Sequence, residues 1–160
     1  MNLYVKIKVM EKRLIKNIEE MKDFADSYIK SLKKSENKAT VIILRGDLGS
    51  GKTTFTQEVA NIFEIKDYVT SPTFVIQKRY EINNSQELGF KNLIHIDAYR
   101  LSSGKELLDL GWKEDINNPQ NIIFIEWPER VTEVLPKNTK EISFKFIDEE
   151  TREIVYENNF

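Results

Sequence analysis

The apolar run Thr40-Val41-Ile42-Ile43-Leu44 is followed, one residue later, by Gly46-Asp47-Leu48-Gly49-Ser50-Gly51-Lys52-Thr53. Beyond the loop, Phe55, Val59, Ile62 and Phe63 share one face of a helix. A buried strand, a glycine-rich loop and an amphipathic helix in that order put the loop at the carboxyl end of a strand and the amino end of a helix. Glycines let the chain curl until several backbone N–H groups converge, and the helix start adds unpaired N–H groups and the positive end of its dipole. Such a cradle suits phosphate oxygens. Lys52 can reach the β- and γ-phosphates, and Thr53 supplies a hydroxyl ligand for Mg²⁺. The G-x-x-x-x-G-K-T pattern therefore implies a bound nucleoside triphosphate. It also implies an α/β fold: a single P-loop NTPase-like domain with a mixed central β-sheet flanked by helices. A glycine-rich turn without a ligand explains neither Lys52 nor Thr53.

At 160 residues the chain fits one domain spanning 1–160, large enough for a core but too short for a second, substrate-binding domain. Its 24 basic and 26 acidic side chains give a net charge of −2, so no global basic field recruits nucleic acid or an acidic membrane. Without cysteine there is neither a disulfide framework nor a thiol nucleophile, and the lone His95 cannot build a zinc site. Met1 to Lys8 alternates like a strand and lacks the apolar block of a signal peptide, and no later run approaches membrane-spanning length. The expectation is a cytoplasmic protein with no membrane contact.

Asn17 with Glu20 resembles a capping box, and the apolar period after it predicts a helix ending near Lys34. Ser35 to Lys38 is a polar turn, and the helix after the phosphate loop runs to about Phe63. Thr73 to Tyr80 and Asn92 to Asp97 read as strands around an Asn83-Asn84-Ser85 turn, which makes this central section antiparallel. Ser103 opens a short helix through Leu110, stopped by Gly111; Asn121 to Trp127 is a strand halted by Pro128. Glu141 to Ile147 and Arg152 to Tyr156 read as a closing hairpin.

Mg²⁺ requires a carboxylate, and hydrolysis requires a group that orients water. Asp97 and Glu126 each close an apolar strand, where a Walker-B-like acid projects toward the metal. Thr70-Ser71-Pro72-Thr73-Phe74 occupies the slot after the second helix in which nucleotide switches carry a phosphate-sensing Thr; a proline turn with solvated hydroxyls fits the same residues. Arg100 and Arg130 follow the two acids and read either as charge-offsetting groups or as surface ion-pair partners. His95 reads as a packed or hydrogen-bonded strand residue ahead of a general base, and Trp112 and Trp127 as core ahead of a base-stacking or docking surface. The guanine-reading N-K-x-D element is absent from the sequence, which leaves ATP as the substrate.

Taken together, Gly46 through Thr54, Ser71-Pro72-Thr73-Phe74, His95-Ile96-Asp97-Ala98-Tyr99-Arg100-Leu101 and Ile125-Glu126-Trp127-Pro128-Glu129-Arg130 strongly resemble the TsaE family of small bacterial P-loop ATPases. The likeness extends from the first helix to the final hairpin. It implies an ATPase that works in forming threonylcarbamoyladenosine beside the anticodon of tRNAs reading codons that begin with A. The resemblance further implies a TsaB–TsaD heterodimer as partner and holder of the transferase centre, tRNA contact only through that complex, and weak activity alone. Transferred by position, Gly49, Ser50, Gly51, Lys52, Thr53 and Thr54 hold the phosphates, and Thr53 and Glu126 contact Mg²⁺. Asp97 supports the metal and the attacking water, with the division of labour between the two acids left open. Thr73 matches the switch-like segment, Trp127 the motif beside the nucleotide, Arg152 a basic residue in the closing hairpin, and the helix start near Ile18 an adenine contact. Ser50 stands where alanine is common, and Ala98 where a larger apolar residue is usual.

Two other classes share the phosphate loop. A small-molecule kinase would need an acceptor pocket and commonly an Arg-rich lid, and no such cluster lies between Asn118 and Asn138. A binding module that uses ATP as glue would associate with partners without forming ADP.

Overall fold

Strands that are apolar on both faces have to be covered on both sides. That condition is met in the computed structural model, which describes residues 8–83 and 88–158. β2 (Thr40–Arg45), β4 (Asn92–Asp97) and β5 (Asn121–Glu126) lie side by side as parallel neighbours at the centre of a seven-stranded sheet. β6 (Lys140–Phe146) runs parallel on the other side of β2. Antiparallel strands then finish both edges: β7 (Arg152–Glu157) and β1 (Met10–Ile15) beyond β6, and β3 (Gln77–Glu81) beyond β4. The order is β1-β7-β6-β2-β5-β4-β3.

The two-residue period of the strands sorts their side chains into two cores. Ile42, Leu44, Leu93, Ile122 and Phe124 face α1 (Ile18–Ser31) and α2 (Lys52–Ile62). Val41, Ile43, Ile94, Ile96, Ile123 and Ile125 face the opposite layer, where Leu107 of α3 (Gly104–Asp109) and Trp112 of α4 (Trp112–Ile116) are buried. By the same parity, His95, Asp97 and Glu126 fall on the α2 side, the side that carries the phosphate loop. Phe55 of α2 is fully buried, and its ring meets Phe24, Tyr28, Phe124 and Phe144 at 5.6–6.1 Å. Those contacts fix how the start of α2 sits over the sheet.

The cap of α1 is as expected: Asn17 Oδ1 accepts from the Glu20 N–H at 2.8 Å. The return bond is shifted by one residue, because Glu20 Oε2 accepts from Lys16 N–H at 2.8 Å. Other expectations need correction. The strand expected over Met1 to Lys8 falls almost wholly outside the described residues, as does most of the Asn83-Asn84-Ser85 turn. The edge strand lies instead at Met10–Ile15, where charged residues mask its alternation. α1 stops at Ser31, since Leu32 is already extended. The strand expected from Thr73 begins only at Gln77, because Val75 and Ile76 both donate back to the Pro72 carbonyl and Ile76 sits at φ +65°. The central section is antiparallel only between β3 and β4. β4 pairs parallel with β5, a long-range choice with no local signature. A second short helix, α4, follows Gly111, which continues the chain at φ +89°. β5 ends at Glu126, so Trp127 lies outside the strand.

Tyr156 ties β7 and the edge strand β1 to α1. Its hydroxyl donates to Glu11 Oε2 at 2.7 Å, and its ring lies edge-on to Phe24 and Tyr28. Burial, followed by the bond to Glu11, pushes this phenol from 10.0 up to about 12. The folded-state value is raised, so its contribution is complete below the unfolded value and is lost as pH rises through the folded one. Between those limits only the unfolded chain releases the proton. Urea midpoints of the wild type and Tyr156→Phe should therefore converge as the solution is raised from pH 10.0 to about 12. Midpoints that run parallel across the window would contradict this assignment.

Candidate active site

Register brings the two strand-end acids together. Glu126 is the cross-strand partner of both Leu44 and Asp97, so one row at the carboxyl edge runs from the end of β2 through Glu126 to Asp97. Gly46 follows β2 directly and turns at φ +144°. A Cβ there would lie 2.4 Å from the Phe144 carbonyl oxygen, so only glycine lets the loop pass this close to β6. α2 then starts from Gly51 at φ +109°, with no side-chain cap and no acidic residue in its first turn. Its first N–H groups and dipole are thus directed at whatever occupies the space in front of the loop.

That space is a cleft of about 1180 Å³. Gly49, Gly51, Lys52, Thr53 and Thr54 line it from the loop, Asp97, Glu126 and Trp127 from the sheet edge, Thr73 from the segment before β3, and Arg152 from the closing hairpin. Of the residues that the family resemblance assigns to the site, only Ser50 does not line it. Ser50 is 1% exposed, its hydroxyl is buried, and its N–H donates to the Asp47 carbonyl at 3.1 Å. Asn17 and Ile18, at the start of α1, also line the cleft.

Each polar group is held from behind. Lys52 Nζ donates to the carbonyls of Gly46 (2.5 Å) and Asp47 (2.9 Å) and lies 5.4 Å from the Trp127 ring centre. An ammonium has three N–H donors, so one is left for a ligand. Asp97 Oδ2 accepts from Thr73 Oγ1 at 2.8 Å, its Oδ1 accepts from the Tyr99 N–H at 3.0 Å, and Ser71 Oγ lies 2.7 Å from Thr73 Oγ1. Glu126 Oε1 lies 2.9 Å from Nε2 of the fully buried His95. Trp127 adopts a left-handed conformation, φ +56° and ψ +49°, just before Pro128. Such strain costs roughly 1–3 kcal/mol and is typical of functional turns. Here it lays the indole beside Lys52 and 5.1 Å from the Tyr99 ring.

In the closing hairpin, Arg152 Nη1 donates to the carbonyls of Asp148 and Thr151, and its guanidinium stacks 4.6 Å from the Phe146 ring. The Asp148 carboxyl is held below the usual carboxylate range by the N–H groups of Glu150 and then Thr151, which closes the hairpin that presents Arg152. Arg100 and Arg130 are placed elsewhere: each lies over an aromatic ring, Phe74 at 4.9 Å and Tyr99 at 5.9 Å, and neither lines the cleft. Trp112 is core, with its indole N–H bonded to the Val134 carbonyl at 2.9 Å, whereas Trp127 is only partly buried at the cleft. Tyr99 also lines the cleft and was not singled out as a site residue; its place two residues after a strand-end acid was the available signal.

The donor set suits a hard cation such as Mg²⁺. Thr53, Asp97 and Glu126 offer only oxygens, and the described residues contain no cluster of three or more His, Cys, Asp or Glu that would form an all-protein cage. A magnesium held by one or two carboxylates and completed by phosphate oxygens fits that combination.

Comparison with known proteins adds what geometry alone does not carry. The family model described as "Threonylcarbamoyl adenosine biosynthesis protein TsaE" matches residues 15–154. The chain belongs to the TsaE family. The family's tRNA threonylcarbamoyladenosine biosynthesis protein TsaE from Rickettsia typhi is 34% identical over 134 residues, 83% of this chain and 85% of the relative. The TsaE protein of Bacillus subtilis is 38% identical over 116 residues, 72% and 68% of the two chains. Among solved structures, Bacillus subtilis YdiB superposes with a TM-score of 0.71 at 29% identity, covering 96% of this chain and 88% of that one. The TsaE match thus spans the cleft from Ile15 to Arg152. Among the described residues no helix is long and apolar enough to cross a membrane.

Proposed function

We propose that this chain binds Mg·ATP in the cleft and hydrolyses it to ADP. In this reading it acts with a TsaB–TsaD heterodimer in the cytoplasm, in forming the threonylcarbamoyl modification of adenosine next to the anticodon of tRNAs that read codons beginning with A. The observation that carries the ATPase reading is the single row formed by the phosphate loop, Glu126 and Asp97, at the carboxyl ends of parallel strands and on the α2 side of the sheet. The tRNA-modification role rests on membership of the TsaE family.

In this reading the backbone of Gly49 to Thr54 receives the phosphates, with Ser50 supporting the loop from beneath. The remaining N–H of Lys52 binds the β- and γ-phosphates, and Thr53 and Glu126 hold the metal. Held there, Mg²⁺ would supply positive charge to offset the negative charge of the phosphates. Asp97 orients the attacking water with its carboxylate aligned by Thr73 and Tyr99. Trp127 and Arg152 bound the nucleotide on two sides. The Thr73 segment joins Asp97 to exposed Phe74 and Val75, so a partner docking there reaches the site through one hydrogen bond. Turnover is low until the partner fixes that segment, because positioning and electrostatics supply most of the catalysis of phosphoryl transfer.

The test is ADP release from Mg·ATP by the purified chain, alone and with a cognate TsaB–TsaD pair, with Lys52→Ala as the blank. Release that rises with the pair supports the assignment. ATP binding with no rise in the presence of a verified pair counts against it and directs the search to small-molecule phosphate acceptors.

A further inference from the structure

His95 is a fully buried titratable side chain that the mechanism above does not use. It lies on the inner face of central strand β4, in the row of Leu93, and opposite Phe124 of β5. An apolar side chain would fill that place without loose ends. The imidazole instead leaves Nδ1 buried with no hydrogen bond among the described residues. A buried polar atom without a partner is destabilising, so packing does not account for it. Its other nitrogen, Nε2, reaches one pleat up the sheet to Oε1 of Glu126 at 2.9 Å.

The donor and acceptor inventory narrows this contact to one state. An ionised carboxylate only accepts, so the proton between the two atoms sits on Nε2, and Nδ1 is left as a bare lone pair. The reverse arrangement, with the proton on Nδ1 and a neutral Glu126 as donor, would bury an N–H with nothing to receive it. No other described side chain bonds to the Glu126 carboxylate. With Oε1 held from behind, Oε2 is the oxygen left for the cleft that Glu126 lines.

We propose that His95 is a positioning residue: its Nε2–H clamps Oε1 of Glu126, so that this flexible carboxylate meets the metal and phosphates already oriented. The inference rests on the role given to Glu126 in the proposed function. A support that aligns a metal-binding group through one hydrogen bond is worth about 10–100-fold in function.

The chain contains a single histidine, so ¹⁵N-histidine NMR of the full chain yields one ring to assign. The expected spectrum is the Nε2–H tautomer, with the Nε2 signal displaced in Glu126→Ala. An Nδ1–H tautomer overturns the proposal. In the ADP-release assay with the partner pair, His95→Leu should lower kcat about 10–100-fold. KM for ATP should stay within about twofold of wild type, the pattern of a lost transition-state contribution. His95→Gln, whose amide can donate from the corresponding position, should recover most of the loss. In a Glu126→Ala background, His95→Leu should have no further effect.

Wild-type turnover by His95→Leu, or a Gln variant no better than Leu, removes the positioning role. Should His95→Leu fail to fold, the ring tautomer and its response to Glu126→Ala decide the matter. Failure of the functional reading looks different: Lys52→Ala and Glu126→Ala would then themselves turn over ATP at the wild-type rate.

Discussion

Glu126→Ala and Asp97→Ala are each expected to bind ATP and to hydrolyse it about 10²–10³-fold more slowly than wild type, the range for losing one preorganised electrostatic group. The two acids sit side by side in register at the sheet edge but are braced differently, Glu126 by a buried imidazole and Asp97 by the Thr73 hydroxyl and the Tyr99 amide. Neither belongs to the phosphate cradle, so affinity should change far less than turnover. Nucleotide titration beside single-turnover ADP formation separates the two effects. The Mg²⁺ dependence ranks the acids, because the one whose loss shifts the metal requirement more is the principal ligand. Full turnover in both variants would falsify the proposed mechanism.

Lys52→Ala is expected to fail at the earlier step. Lys52 is 5% exposed and its ammonium is fixed by the carbonyls of Gly46 and Asp47, so its direction toward a phosphate is set before any ligand arrives. Losing the charge-assisted bond that its remaining N–H makes to phosphate oxygen corresponds to about 1.5–3 kcal/mol, or roughly ten- to a hundredfold weaker ATP binding. Isothermal titration with a non-hydrolysable analogue measures this directly. The thermal midpoint measured alongside reports whether the loop still folds without its two carbonyl ties. A variant with a wild-type midpoint and wild-type affinity would show that the loop does not bind phosphate through Lys52.

Much of this was readable in the chain because the signals are local. The continuous apolar runs ending in Leu44, Asp97 and Glu126 could only be covered strands, and the phosphate loop between strand and helix is a contiguous pattern. Errors came where the outcome depends on something distant or on backbone geometry. Thr73 to Ile76 has strand-like residues, yet Pro72 collects two N–H bonds and Ile76 turns left-handed, which converts the segment into a tight turn against Asp97. Trp127 continues an apolar run in sequence but leaves the strand because the chain must turn into Pro128. Arg100 and Arg130 looked equivalent to other candidates until each proved to lie over an aromatic ring, Phe74 or Tyr99, without lining the cleft itself.

The sequence by itself determined the strand–loop–helix and the two strand-end acids to which the proposed nucleotide site is assigned, since each is encoded within a few consecutive residues. Only the tertiary structure decided that β5 inserts between β2 and β4, which brings Glu126 next to Asp97 and within reach of His95. It also decided that the hairpin carrying Arg152 forms a wall of the same cleft. Strand order and register are set by the sum of many weak apolar contacts across the two faces of the sheet, and no single residue carries that sum in its identity.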